Sequence, residues 1–209
     1  MEISFKKFLN KRGGNSGKPI KNPKLPISVN KDFSELLGHI CGDGTIKTDF
    51  YNKGGRVGYI NSEIKLINDF KTLIKKVFGD VEPNFYIRDE NTKVKVGRPK
   101  YTKPNYVLQY PTILNLIILS IFRGKGEDID IPREILYNNN LKRTFIRAIF
   151  DDESYVRENA KKIELSMKSK RFIIGIKELL KELEIRTTNI EERKDKPYLK
   201  DNYECYRIE

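Results

Sequence analysis

Apolar residues along this 209-residue chain follow two rhythms, one helical and one alternating. Phe33, Leu36, Leu37 and Ile40 keep the i, i+3, i+4, i+7 spacing of a single helix face. Asn30 stands where a side-chain oxygen can cap that helix, and Gly42 and Gly44 around Asp43 predict its end. Leu66, Ile67, Phe70, Leu73, Ile74 and Val77 form a second amphipathic stripe, stopped by Gly79. Pro111 opens a predicted helix that runs to Phe122. Pro132 starts a short one, and Asn140 is the expected cap of the helix carrying Phe145, Ala148 and Ile149. Phe172, Ile173, Ile176, Leu179, Leu180 and Leu183 close the set.

The alternating segments predict strands. Thr45 to Phe50 and Val57 to Ile60 are joined through Asn52-Lys53-Gly54-Gly55. Phe85 and Ile87 alternate with Tyr86 and Arg88, and Val94 and Val96 with Lys93 and Lys95. Tyr106 to Tyr110 extends this sheet, which has one apolar face and one basic, aromatic face. Later, Ile163, Leu165 and Met167 alternate with Lys162, Glu164, Ser166 and Lys168. Strands near Thr187 to Arg193 and Tyr203 to Ile208 complete a second sheet.

The two sets are copies of one plan. Leu36 to Gly44 and Ile146 to Ser154 each run a small-faced apolar helix into an acid, with Gly38 matching Ala148 and Asp43 matching Glu153 at a constant offset of 110. The following helices match at an offset of 106, so the second copy has lost four residues from its first hairpin, where loops absorb such changes. Small residues at 38 and 148 would let the two motif helices approach closely.

Composition narrows the partners. Net charge is +12 and the pI about 9.5, which suits a polyanion. The longest apolar run, Ile113 to Phe122, is too short to span a bilayer, and the charged N-terminus shows no signal peptide. Cys41 and Cys205 build no disulfide framework, and no Cys/His cluster suggests zinc. An intracellular setting is expected, cytoplasmic and nucleoid-associated or organellar. Residues 1–30 read as a basic, flexible arm, residues 31–129 as the first half and residues 130–209 as the second, with Arg123 to Asp130 as the linker. His39, the only histidine, reads as a packing or polar-lining residue of the motif helix.

Leu36-Leu37-Gly38-His39-Ile40-Cys41-Gly42-Asp43-Gly44 and Ile146-Arg147-Ala148-Ile149-Phe150-Asp151-Asp152-Glu153-Ser154 resemble the paired motifs of the LAGLIDADG homing endonuclease family, in its single-chain form. The resemblance covers about residues 31 to 209 and departs from the family at Ser154, where Gly is usual. It implies an α+β fold of two pseudo-symmetric αββαββα-type halves, each a four-stranded antiparallel saddle sheet, packed through the motif helices. No last helix is visible after the fourth strand of the second half.

The resemblance also implies chemistry. Asp43 and Glu153 fall on the family's catalytic acids, and two adjacent carboxylates favour a shared cation. Mg²⁺ or Mn²⁺ would be held by Asp43 and Glu153, with the backbone carbonyls of Gly42 and Asp152 completing the sphere. Asn61 and Lys168 occupy the family's polar position near the attacked phosphate, beside Ser62 and Met167. The saddle implies duplex DNA contacts from Lys47, Arg56, Arg88, Lys93, Lys95 and Arg98, and from Arg157, Lys162, Arg186, Arg193 and Lys196. The expected function is site-specific, metal-dependent cleavage of both strands of a long asymmetric site by a monomer. The competing expectation is a non-cleaving binder of the same fold, such as an intron RNA maturase. No self-splicing blocks flank the motifs and the chain begins with Met, so an intron-encoded or freestanding form is expected rather than an intein.

Overall fold

The computed structural model describes residues 2–3, 20–24, 26–46, 55–88, 104–121, 129–194 and 204–209. Its first half contains α1 (Lys31–Cys41), β3 (Gly44–Ile46), β4 (Val57–Asn61), α2 (Ile64–Phe78), β5 (Asn84–Arg88), β6 (Asn105–Tyr110) and α3 (Thr112–Leu119). These follow a short antiparallel pair, β1 (Glu2–Ile3) with β2 (Ile27–Ser28). The second half contains α4 (Asn139–Glu153), β7 (Ser154–Arg157), β8 (Lys162–Met167), α5 (Lys170–Glu182), β9 (Glu191–Lys194) and β10 (Glu204–Ile208).

Local chemistry sets the helix ends. The Phe33 amide donates to Asn30 Oδ1 at 3.0 Å, which satisfies one free donor at the start of α1. The Gly42 amide closes its last turn on the Gly38 carbonyl at 2.9 Å. In α4 the cap is Asn138, not Asn140: Asn138 is extended, and its Oδ1 accepts from the Leu141 amide at 2.9 Å. Three consecutive asparagines offer three caps, and the one whose backbone stays extended takes the role. Ser169 Oγ caps α5 by accepting from the Phe172 amide at 3.2 Å.

Both sheets are antiparallel and share one strand order, β3-β4-β6-β5 and β7-β8-β10-β9. Tyr59 faces Gly44 and Leu108 in the first, and Leu165 faces Ser154 and Ile208 at the corresponding place in the second. The repeat read from residue spacing is therefore a repeat of topology. The shorter second hairpin turns through Glu158–Ala160, and Lys161 takes the left-handed conformation at φ 50°.

The halves meet along α1 and α4. A Cβ placed on Gly38 would lie 2.5 Å from the Phe145 carbonyl oxygen and 2.6 Å from the Ala148 Cβ, so the backbones touch where side chains usually intervene. Phe33, Leu36, Leu37, Phe70, Phe145, Ile149 and Phe172 are fully buried around this contact.

Two features differ from the alternation pattern. Phe85 and Ile87 lie, by register, on the helix side of the first sheet, yet they are 51% and 53% exposed. They sit on the edge strand β5, beyond the cover that the described helices give to β4 and β6. The strand expected from Thr187 begins at Glu191. The described part of the strand expected from Thr45 to Phe50 is Gly44–Ile46.

Ahead of α1 the described chain is docked. Lys21 and Asp80 exchange backbone hydrogen bonds of 2.7 and 2.8 Å, Lys24 donates to the Phe78 carbonyl at 3.1 Å, and Ile27 is buried in the core. The segment Lys11 to Pro19 lies outside the described residues, as do most of the linker and the predicted strand at Val94 and Val96.

Candidate active site and nucleic-acid face

The helix contact repeats one turn further on. A Cβ on Gly42 would lie 2.7 Å from the Asp152 Cβ, so residues 42 and 152 meet just as 38 and 148 do. Two pairs with the same offset of 110, each in contact, place a pseudo-twofold axis between α1 and α4. Asp43 and Glu153 are the next residues on either side of that axis. Both are half-buried, Asp43 just past the end of α1 and Glu153 as the last residue of α4.

Asp43 is held at both ends. Asn61 Nδ2 donates to Asp43 Oδ2 at 2.7 Å, while Asn61 Oδ1 accepts from the Glu63 amide at 2.7 Å. With both ends of its amide used, the orientation of Asn61 is fixed. The Asp43 backbone amide donates to Asp152 Oδ2 at 3.3 Å. A polar cavity of about 540 Å³ opens here, lined by Asp43, Asn61, Arg88, Asn105, Asp151 and Asp152 among others. It joins the helix ends to the outer face of the first sheet. Burial pushes the Asp151 carboxyl above its ordinary range, against the pull of His39 and Arg147.

Behind Asp43 lies a buried polar cluster that the spacing of the motifs did not announce. His39 Nδ1 is 3.1 Å from both carboxylate oxygens of Asp152, and the Tyr59 hydroxyl donates to Asp152 Oδ1 at 2.5 Å. A carboxylate only accepts, so His39 carries its proton on Nδ1. Burial, reinforced by the neighbouring Asp152 charge, raises the Tyr59 hydroxyl far above its ordinary value and keeps it a donor. The Tyr59 ring stacks on Phe70 at 4.3 Å, which fixes its direction. The sequence signal for this cluster is a broken repeat. His39, Tyr59, Asn61 and Asp152 correspond to Ile149, Leu165, Met167 and Gly42.

The outer faces of the two sheets differ. On the first, Arg56 donates to Gln109 at 3.1 Å, Gln109 donates to the Tyr86 hydroxyl at 2.9 Å, and the Arg88 guanidinium lies 5.8 Å over the Tyr86 ring. This face carries two arginines with no acid among those contacts. On the second, the cations are engaged by carboxylates. Arg157 pairs with Glu164, Lys162 with Glu209 at 2.7 Å, and Arg207 with Glu164 at 2.6 Å and Glu191 at 2.5 Å. Arg207, which alternation alone did not single out, is 5% exposed at the centre of that face.

Several predicted residues are placed elsewhere. Arg186 follows α5 and lines an apolar cavity with Ile146, Phe150 and Leu180, which Lys162 and Glu209 also border. Lys168 is exposed just past β8, at the position matching Ser62. Lys47, Lys93, Lys95, Arg98 and Lys196 lie outside the described residues, and Arg193 is described only as backbone of β9, opposite Cys205. Among the described residues, no three His, Cys, Asp or Glu side chains gather as a metal cluster.

Comparison with known proteins agrees with this geometry. Residues 140–207 match the family model of the LAGLIDADG-like domain. The structure of I-DmoI in complex with DNA and Mn superposes with a TM-score of 0.51 at 18% identity, over 87% of this chain and 89% of that one. Full-length DUF199/WhiA from Thermatoga maritima gives a TM-score of 0.54 at 13% identity, over 87% of this chain and 51% of that one. Glutamine--fructose-6-phosphate aminotransferase [isomerizing] of Methanocaldococcus jannaschii is 26% identical over 185 residues, covering 85% of this chain. The chain spans only 15% of that relative's length. Residues 140–207 thus match a LAGLIDADG-like domain, and the chain has the LAGLIDADG fold seen in the homing endonuclease I-DmoI and in WhiA.

Proposed function

We propose that this protein is a site-specific, metal-dependent endonuclease that hydrolyses both strands of duplex DNA as a monomer. The carrying observation is the pair of same-offset contacts, 38 with 148 and 42 with 152, which brings the ends of both motif helices to one axis. Asp43 and Glu153 flank that axis, and Asp43 lines a polar cavity that leads to Arg88 and the first outer face.

The donor set suits a hard cation. Asp43, Glu153 and the backbone carbonyls of Gly42 and Asp152 offer oxygen only, the preference of Mg²⁺ or Mn²⁺. With no three-acid cluster among the described residues, phosphate and water oxygens would complete the coordination. Such a metal supplies positive charge at the phosphate and makes a bound water more acidic. The chain's own residues do the rest. Asn61 holds the Asp43 carboxylate, Lys168 supplies a positive charge toward the second cut, and Arg56 and Arg88 bind backbone phosphates. The structures of I-DmoI with DNA and Mn or Ca support this reading. A match to 15% of an aminotransferase carries no aminotransferase reaction.

A second reading, the same fold binding nucleic acid without cutting it, has one observation in its favour. Met167 stands where Asn61 reaches Asp43, and a thioether cannot donate a hydrogen bond to Glu153. One experiment separates the two. A randomised duplex library is incubated with the protein and Mg²⁺, and cut ends are sequenced. Cleavage at a defined sequence that disappears in Asp43→Asn and Glu153→Gln supports the nuclease; enrichment by binding with no cut ends supports the binder.

A further inference from the structure

The Asp152 side chain has no solvent exposure and His39 beside it is 2% exposed, yet both border the site. Burying a carboxylate costs several kcal/mol unless donors surround it. Here three do: His39 Nδ1, the Tyr59 hydroxyl and the Asp43 backbone amide. The fold itself does not require the cluster. The second copy of the framework closes with Ile149, Leu165 and Gly42 at the corresponding positions, none with a polar side-chain atom. The cluster is also one-sided: Asp152 comes from the second half, and every group it holds belongs to the first.

We propose that Asp152 is a positioning residue that presets Asp43 across the pseudo-twofold axis. Its carboxylate is fixed from behind by His39 and Tyr59, and it fixes the Gly42–Asp43 peptide in turn. That peptide sets the direction of the Gly42 carbonyl and the root of the Asp43 side chain, whose far end Asn61 holds. Gly42 is part of the device, because any Cβ there would occupy the space of Asp152. The geometry stands by itself; its consequence for cleavage rests on the endonuclease reading.

The test uses the full chain labelled with ¹⁵N. In Asp152→Ala the Asp43 amide loses this carboxylate acceptor, and its hydrogen exchange accelerates at least about tenfold. Asp152→Asn keeps an acceptor and stays within about threefold of the parent. Tyr59→Phe keeps the ring stack and removes the pin behind the carboxylate, which gives an intermediate rate and a measurement should the alanine variant not fold. Mn²⁺ alone is then titrated. Paramagnetic broadening of the Asp43 and Asn61 amides shifts to about tenfold higher Mn²⁺ in Asp152→Ala and recovers in Asp152→Asn. On a cleaved duplex, the strand whose nicking Asp43→Asn abolishes slows in Asp152→Ala at unchanged duplex affinity. If a folded Asp152→Ala leaves both Asp43 exchange and Mn²⁺ broadening at parental values, the positioning role is overturned. If Mn²⁺ broadens neither amide in the parent, the metal reading fails instead, and amide exchange still decides Asp152.

Discussion

Gly42 and Asp152 face each other across the pseudo-twofold axis so closely that a Cβ on Gly42 would lie 2.7 Å from the Asp152 Cβ. That contact limits which side chains residue 42 can carry. Gly42→Ala is expected to cost about 1–3 kcal/mol by forcing the helix ends apart. Gly38→Ala, against the Phe145 carbonyl and Ala148, should cost a similar amount. Urea midpoints at constant m-value check both.

Tyr110 buries its hydroxyl without a hydrogen-bond partner among the described residues. Burial raises that hydroxyl above its ordinary value, so it remains protonated and still lacks an acceptor. Tyr110→Phe removes the desolvated group and keeps the ring. It should raise stability by about 1 kcal/mol, seen as a higher urea midpoint.

Arg207 and Glu164, 5% and 6% exposed, form a buried ion pair on the outer face of the second sheet. Arg207→Ala leaves Glu164 with Arg157 as its remaining cation and should cost about 1–3 kcal/mol. Arg207→Leu combined with Glu164→Leu should cost clearly less than the sum of the single changes. A double-mutant cycle measures the coupling.

Asp80 ties the segment ahead of α1 to the end of α2, through Lys75 at 2.9 Å and Asn22 at 3.2 Å. Its hydrogen bond from Lys75, then that from Asn22, holds the carboxyl below its ordinary 3.8. A depressed folded value means the contribution is present above the unfolded value and is lost as pH falls through the folded one. Asp80→Asn should therefore melt lower than the parent at pH 7, with the gap narrowed at an acidic pH below the ordinary 3.8. Thermal melts at the two pH values decide it.

On duplex DNA the two outer faces should behave differently. Arg88→Ala is expected to weaken binding at all sequences and lower the slope of log K against log salt by about 1. Arg157→Ala should change that slope less, because Glu164 already holds Arg157. Glu164→Gln should raise duplex affinity. Filter binding across a salt series measures all three.

Much of this architecture was legible along the chain. Helical spacing around Leu36 and Phe172 and the constant offsets of 110 and 106 determined the elements, their repetition and the place of Asp43 and Glu153, because periodicity and spacing are local properties. Tertiary structure alone decided which faces are covered and which charges are engaged. Phe85 and Ile87 alternate like core residues but lie on an edge. Arg157 meets Glu164 across a single hairpin, while Lys162 looks free in sequence and meets Glu209 only when strands distant in the chain align. The same holds for Asp152, which reaches His39 across 113 residues and serves a half to which it does not belong. The first pairings depend on strand register and the Asp152 contact on how two packed helices cross, and that geometry is fixed by the whole core rather than by any segment of the chain.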